Sequence, residues 1–348
     1  MAHRHTFTYG PEDFVFEVCP ASGGTSRAAS RFDRTLRSTW ADKMSRGLFR
    51  YRLGDLETKV LPGELGYVAQ LNIKRGTERR KPQDVASIRQ SFDPRLFNFN
   101  KIHPEELLFD VRKVEPDGTA EVACAAILNV SPLEFGHCLL VPEPMRCHPQ
   151  ILTPRAVRVG IESVFLSADP GYRVGFNSLG AFASVNHLHL HGYYLDHALR
   201  IEWAPAELIA PDKGLYRLRF PNGFVFYTDG RDLHATVANI CKVTDVLVER
   251  NIAHNVFITR GCPPDSDGVP SAQRHGVRVL VWPRVASFGA KEESAFNVAL
   301  CELAGHLPFK NRQDFESFTE GEVKAMVQKF VLNDEEFVEL QKQIVEIF

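Results

Sequence analysis

Apolar residues recur at every fourth position from Phe32, through Leu36, Trp40 and Met44 to Leu48. That spacing predicts an amphipathic helix. Downstream, 121–130 (EVACAAILNV) and 137–141 (HCLLV) read as strands joined by the turn sequence SPLEFG. Thr153 before Pro154 pairs an N-cap residue with proline at the first helical position, opening a helix through Val157, Ile161, Val164 and Phe165. Strands follow at 172–178 and 185–195. The order strand, helix, strand, strand then recurs in weaker form, with strands at 223–227, 255–259 and 277–282 and a helix across Leu233, Val237, Ile240, Cys241 and Leu247. The last two strands flank a Pro/Gly/Asp loop at 261–276. Two capped helices close the chain, one opened by Thr319 with Glu322 three positions on, the other by Asn333 before three acidic residues. Residues 1–28, rich in Gly, Ser and Pro, read as a loosely held arm with a short strand at 14–18.

This succession predicts an α+β fold of antiparallel sheets with helices, built as two similar halves of which the second is degenerate. The expected division is an N-terminal arm and helix (1–64), a first half (65–200), a degenerate half (201–290) and C-terminal helices (291–348).

Composition changes the picture only by exclusion. The chain has 348 residues, enough for one large domain or two. Its 41 Lys and Arg against 43 Asp and Glu leave a net charge of −2, unlike a protein that coats nucleic acid or anionic membrane. No apolar run approaches the ~20 residues of a membrane span, and the N-terminus lacks the apolar core of a secretory signal. The seven cysteines are scattered without a CxxC pair, as expected where thiols stay reduced. A cytoplasmic protein is the expectation. The basic stretch 74–81 (KRGTERRK) reads as a solvated loop or as an electrostatic contact to a phosphorylated ligand.

The chemically informative segment is Asn186-His187-Leu188-His189-Leu190-His191. Alternation with period two puts His187, His189 and His191 on one face while Leu188 and Leu190 point into the core. Three readings compete. The histidines could be an exposed sheet surface. They could bind a metal, although the outer pair lies about 13 Å apart along a strand, and no HExxH or CxxC supplies a further ligand. Or His189 could be a nucleophile served by its neighbours. A neutral imidazole attacks phosphorus without a separate base when one nitrogen is free and an acceptor holds the other. His191 could then donate to a phosphate oxygen or leaving group, and His187 support the geometry. The third reading fits best, with no metal and no cofactor.

These residues resemble the histidine-triad superfamily of nucleotide hydrolases and nucleotidyltransferases. The likeness extends to Asn129, Gly136 and His137 on the early strand pair, to Asn177, and to Ser184 three residues before the triad. Within the superfamily, FNFNKIHPEELLF, FNSLGAFASVNHLHLHGYYL and the late HNVFITRG and VRVLVWPR are similar to the GDP-hexose phosphorylases. The resemblance covers roughly residues 65–285. It implies His189 as nucleophile, His187, His191 and His137 as its catalytic companions, and Asn129, Asn177, Ser184 and Asn186 as nucleotide or phosphate contacts. It implies a GDP-sugar, GDP and inorganic phosphate as partners of a monomer or homodimer, and phosphorolysis of GDP-D-glucose to GDP and glucose 1-phosphate through a guanylyl-histidine. His191 is hydrolase-like, because galactose-1-phosphate uridylyltransferases and plant GDP-L-galactose phosphorylases carry Gln there. The triad therefore leaves open whether water or phosphate is the acceptor. A nucleotide hydrolase and a non-catalytic nucleotide-sugar binding protein stand as alternatives. The degenerate half has no histidine in 277–282 and cannot supply a nucleophile. Arg278 and Arg284 read there as solvated charges or as phosphate contacts.

Overall fold

The computed structural model describes residues 5–18, 29–80, 82–115, 117–266, 268, 275–288 and 294–348. Cys19, Lys81 and parts of the N-terminal arm and the 261–276 loop lie outside the described residues. Fourteen strands occur among them. The first eight are Thr6–Tyr9 (β1), Thr58–Val60 (β2), Val68–Leu71 (β3), Leu107–Val114 (β4), Ala120–Leu128 (β5), Cys138–Pro142 (β6), Tyr172–Asn177 (β7) and Leu190–Tyr194 (β8). The rest are Glu207–Ala210 (β9), Leu215–Arg219 (β10), Asn222–Thr228 (β11), Ala253–Gly261 (β12), Gly276–Arg284 (β13) and His306–Phe309 (β14). The helices are Arg31–Ser45 (α1), Ile73–Thr77 (α2), Pro154–Leu166 (α3), Leu233–Glu249 (α4), Leu300–Ala304 (α5), Arg312–Ser317 (α6), Glu320–Gln328 (α7) and Asp334–Glu346 (α8).

Eleven strands form one sheet in the order β1-β4-β5-β6-β8-β7-β12-β13-β11-β10-β9. From the central seam, where β7 pairs antiparallel with β12, the strands succeed one another in the same way on both sides. Each half contributes three strands, a helix and two strands, so the duplication seen in the sequence is present in the architecture. A small sheet, β14-β3-β2, ties the segment before the first half to the C-terminal region.

The two faces of the large sheet are covered differently. Helices α1, α3, α4 and α8 bury Leu36, Ile161, Ile240 and Phe337 against Val174, Phe176, Leu188, Leu190, Val279 and Val281. The opposite face, carrying Tyr193, Phe257, Leu280 and Trp282, is covered by α5 to α7 and β14 through Leu300, Phe315, Val323 and Leu307. Leu188 and Leu190 therefore face the helical layer, as period two requires, and the residues between them face the other side.

The expected helix ends at Thr153, Thr319 and Asn333 are present, each accepting a backbone N–H from the first turn of its helix, and Ser30, which the sequence reading did not single out, does the same for α1. The expected strand at 14–18 is not. Val15 N donates to the Phe165 carbonyl, and Phe14 and Phe16 pack their rings on Phe165. The N-terminal strand is instead β1, parallel to β4.

Candidate active site

The sequence alternation runs through the whole histidine segment, but the sheet ladder does not. β8 begins at Leu190, and its pairing with β7 covers four positions, from Tyr172↔Tyr194 to Gly175↔His191. Side chains satisfy the backbone ahead of it. Gln150 Oε1 accepts from His189 N at 2.9 Å, and Gln150 Nε2 donates to the carbonyls of His189 (3.1 Å) and Asn177 (2.9 Å). Gln150 is in turn held by Asn186, whose Oδ1 accepts from Gln150 N at 2.9 Å while its Nδ2 donates to the Gln90 and Ser91 carbonyls. This clamp replaces the missing ladder and fixes the His189 backbone from both sides.

Two backbone groups of fixed role set the tautomers of His189 and His137, and that of His191 follows from His137. His189 Nδ1 lies 2.7 Å from the His187 carbonyl, which can only accept. Nδ1 therefore carries the proton, and Nε2 presents a lone pair with no hydrogen-bond partner among the described residues. His137 Nδ1 accepts from Leu133 N at 2.7 Å, so its proton sits on Nε2, 3.1 Å from His191 Nδ1. His191 Nδ1 must accept, which leaves its own proton on Nε2. The network thus delivers a lone pair on one histidine and an N–H donor on the next, with ring centroids 5.1 Å apart.

Burial keeps all of these rings neutral. It pushes His189 down to about 4. It pushes His191 and His137 well below the ordinary imidazole value, helped in both by the positive charge of Arg75. A neutral His189 is nucleophilic without prior loss of a proton.

These rings form part of a pocket lined also by Asn129, Asn177, Ser184, Phe97, Phe99, Ile102 and Ile127, and by Arg75, Arg79, Arg80 and Lys310. Phe99 meets His189 edge-on at 4.9 Å and stacks on His187 at 5.4 Å. Asn177 Oδ1 accepts from Asn255 Nδ2 and Leu300 N. Asn129 Oδ1 accepts from Ser131 N, and its Nδ2, 3.2 Å from His137 Nε2, makes no hydrogen bond there in this tautomer because both atoms are donors. Of the residues named from the sequence, His137, His189, His191, Asn129, Asn177 and Ser184 converge on this pocket. His187 and Asn186 do not line it. His187 reaches His189 through its carbonyl and Phe99 N through its ring (3.1 Å), and Asn186 holds the clamp. Sequence reasoning missed Gln150, Phe99 and Lys310.

Arg278 and Arg284 correct the sequence reading. Neither is solvated, and neither lines the pocket. Arg278, 0% exposed, donates to the carbonyls of Ile201, Ala204, Cys262 and Pro263. Arg284, 1% exposed, donates to the Val298 carbonyl and Asn255 Oδ1. Both serve as multi-pronged donors for loop carbonyls that the sheet leaves unpaired. No group of three or more His, Cys, Asp or Glu among the described residues could hold a metal ion. No helix among them is long and apolar enough to cross a membrane.

The chain shares its fold with the yeast Ap4A phosphorylase Apa2: the complex of that protein with Ap4A superposes with a TM-score of 0.59 at 14% identity, over 87% of this chain and 97% of that one. Two family models match in tandem, "GDPGP1-like, N-terminal domain" at residues 31–193 and "GDPGP1-like, C-terminal domain" at 210–348, and the chain belongs to this family. It is 62% identical over 346 residues to GDP-D-glucose phosphorylase 1 of Danio rerio, covering 99% of both chains. It is 53% identical over 351 residues to GDP-D-glucose phosphorylase 1 of Homo sapiens, covering 97% of this chain and 91% of that one. GDP-L-galactose phosphorylase 1 of Arabidopsis thaliana is 33% identical over 321 residues, 86% of this chain and 70% of the plant protein.

Proposed function

We propose that the chain is a GDP-D-glucose phosphorylase that works through a guanylyl group carried on His189. The observation that carries the mechanism is a pair of ring contacts: His189 Nδ1 on a carbonyl oxygen at 2.7 Å, and His191 Nδ1 on His137 Nε2 at 3.1 Å. In the first half-reaction the Nε2 lone pair of His189 attacks the α-phosphorus of GDP-glucose. A P–N bond forms, the bond to the α–β bridging oxygen breaks, and its electron pair leaves with glucose 1-phosphate. In the second, an oxygen of inorganic phosphate attacks the guanylyl phosphorus. The P–N bond breaks, its electrons return to Nε2, and GDP departs. Splitting the transfer lets one nucleotide site serve both acceptors in turn.

The remaining groups act on charge and position. His191 Nε2–H and the Ser184 hydroxyl are the donors proposed for the non-bridging oxygens, where charge accumulates. Phe97, Phe99, Ile102 and Ile127 offer an apolar slot for the base. Asn129 and Asn177 stand as ribose or phosphate contacts. His137, which Trp40 Nε1 also holds through its carbonyl at 3.2 Å, is a positioning residue that sets the His191 tautomer.

The test is product analysis with GDP-glucose, with and without phosphate. GDP and glucose 1-phosphate formed only with phosphate support the reading, together with an acid-labile, base-stable label on the protein. GMP released without phosphate would instead show a hydrolase.

A further inference from the structure

Beyond the nucleophile and its donor, the pocket carries an uncompensated set of cations. Four cationic residues line it, Arg75, Arg79, Arg80 and Lys310, against two carboxylates, Glu106 and Glu302. Arg80 stands apart, with its guanidinium over the Phe97 ring at 3.4 Å. The other three come from two places brought together by β3 and β14, which pair in parallel. Asn72 caps α2 and ties it to the Leu133 carbonyl. Gly76 on that helix leaves room for Lys310, whose Cβ would lie only 3.2 Å from a side chain at 76.

The partners of these cations are sparse and uncharged. Arg75 donates to the Ser131 carbonyl at 2.5 Å. Lys310 Nζ donates to the Ser294 carbonyl and Asn297 Oδ1, both at 3.1 Å. The Arg79 guanidinium has no hydrogen bond or ion pair among the described residues, although it is half-buried. Burial lowers both Arg79 and Lys310, Arg75 adds to the effect on Arg79, and Arg79 adds to that on Lys310. Only Glu302 opposes, and its own carboxyl is raised by burial. Like charges held together out of water cost free energy unless an anion joins them.

Their place along the pocket says which anion. Phe99 marks the His187–His189 end. Leu300, whose neighbours 299–302 share the wall with the cations, packs on Gly175, the partner of His191 in the sheet. Arg75 also depresses His191, whereas it is not among the influences on His189. The wall that carries Lys310 thus adjoins the His191 side of the pocket, while Arg80 reaches over Phe97 in the aromatic slot. With the base in the aromatic slot and the α-phosphorus on His189, the other three cations are left to meet the leaving group.

We infer that Arg75, Arg79 and Lys310 form one phosphate subsite used twice, first for the phosphate of the departing hexose 1-phosphate and then for inorganic phosphate as acceptor. This rests on the phosphorylase reading and identifies what selects phosphate over water. In the second step the subsite aligns a phosphate oxygen with the guanylyl phosphorus, so that a P–O bond forms as the P–N bond to His189 breaks. Water is too small and uncharged to be held there.

Arg79→Gln tests this, because it removes a half-buried charge that makes no hydrogen bond among the described residues. KM for phosphate is expected to rise roughly tenfold or more, with GMP appearing beside GDP as water competes for the intermediate. Arg79→Lys should restore part of the loss. A second readout is calorimetric binding of inorganic phosphate to the unreacted protein, expected to weaken by a similar factor in Arg79→Gln and in Lys310→Met. Unchanged KM, product ratio and phosphate binding in both variants would overturn the subsite while leaving the phosphorylase reading intact. Failure of the wild type to phosphorolyse GDP-glucose would strike that reading alone, and phosphate binding would still decide the subsite.

Discussion

The two halves of the large sheet place a pair of strands at corresponding positions and pair them to different extents. In the second half β12 and β13 pair over nine positions, from Ala253↔Arg284 to Gly261↔Gly276. In the first, β7 and β8 pair over four, and pairing stops at His191. Where the ladder is complete, its flanks are closed by packed side chains such as Trp282, Arg278 and Arg284. Where it is withheld, Gln150, held in place by Asn186, takes over the backbone groups and the sheet opens into a pocket. The difference shows how a duplicated unit acquires chemistry: not by added elements but by ending a strand pair early and stabilising the released backbone with amide side chains.

The hardest way to break the contrast is to remove the group it exists to present. His189→Ala should lower phosphorolysis at least about 10⁴-fold and abolish covalent labelling, while the unfolding midpoint in urea changes little. In the other half, Arg278→Met should do the opposite. Leaving four loop carbonyls without their buried donor is expected to cost about 3–5 kcal/mol of stability in chemical denaturation, with kcat per folded molecule unchanged. Gln150→Ala sharpens the comparison by acting on the substitute for the ladder. Loss of the clamp should let His189 drift and reduce kcat about 10²-fold, and a stability loss of about 1–3 kcal/mol should accompany it.

The smallest effect is a slope with pH. His187, His189 and His254 are pushed down to about 4 and His306 to about 3, all mainly by burial. The unfolded chain titrates these groups near 6.5 and so binds more protons than the folded one below that pH. Thermal midpoints should therefore hold steady above about pH 7 and fall as pH drops from about 6.5 toward 4. Replacing His254 by Asn should flatten that fall without touching the pocket.

Much of this was legible in the sequence, for local reasons. Alternation of His with Leu survives even where the ladder is absent, because an extended backbone keeps period two whether or not a neighbour pairs with it. Caps at Ser30, Thr153, Thr319 and Asn333 are signalled within a few residues, so the tail helices and α3 were readable; only Ser30 went unremarked. What escaped depends on distance along the chain. Gln150 acts on a residue 39 positions away, and Lys310 meets Gly76 only because β14 pairs with β3. Arg278 and Arg284 misled because charge normally predicts solvent, and nothing local reports which loop carbonyls will need donors. Phe14 and Phe16 misled in the other sense: the segment read as a short strand, but the rings pack on Phe165.

The wall formed by Asn297, residues 299–302, Pro308 and Lys310 comes from far down the chain, more than a hundred positions after the triad it faces. During synthesis on a ribosome, His189, its clamp and the central strands emerge well before that wall does. The pocket is thus among the last features to be completed. A nascent polypeptide carrying His189 has no finished chamber in which to use it until β14 has docked beside β3.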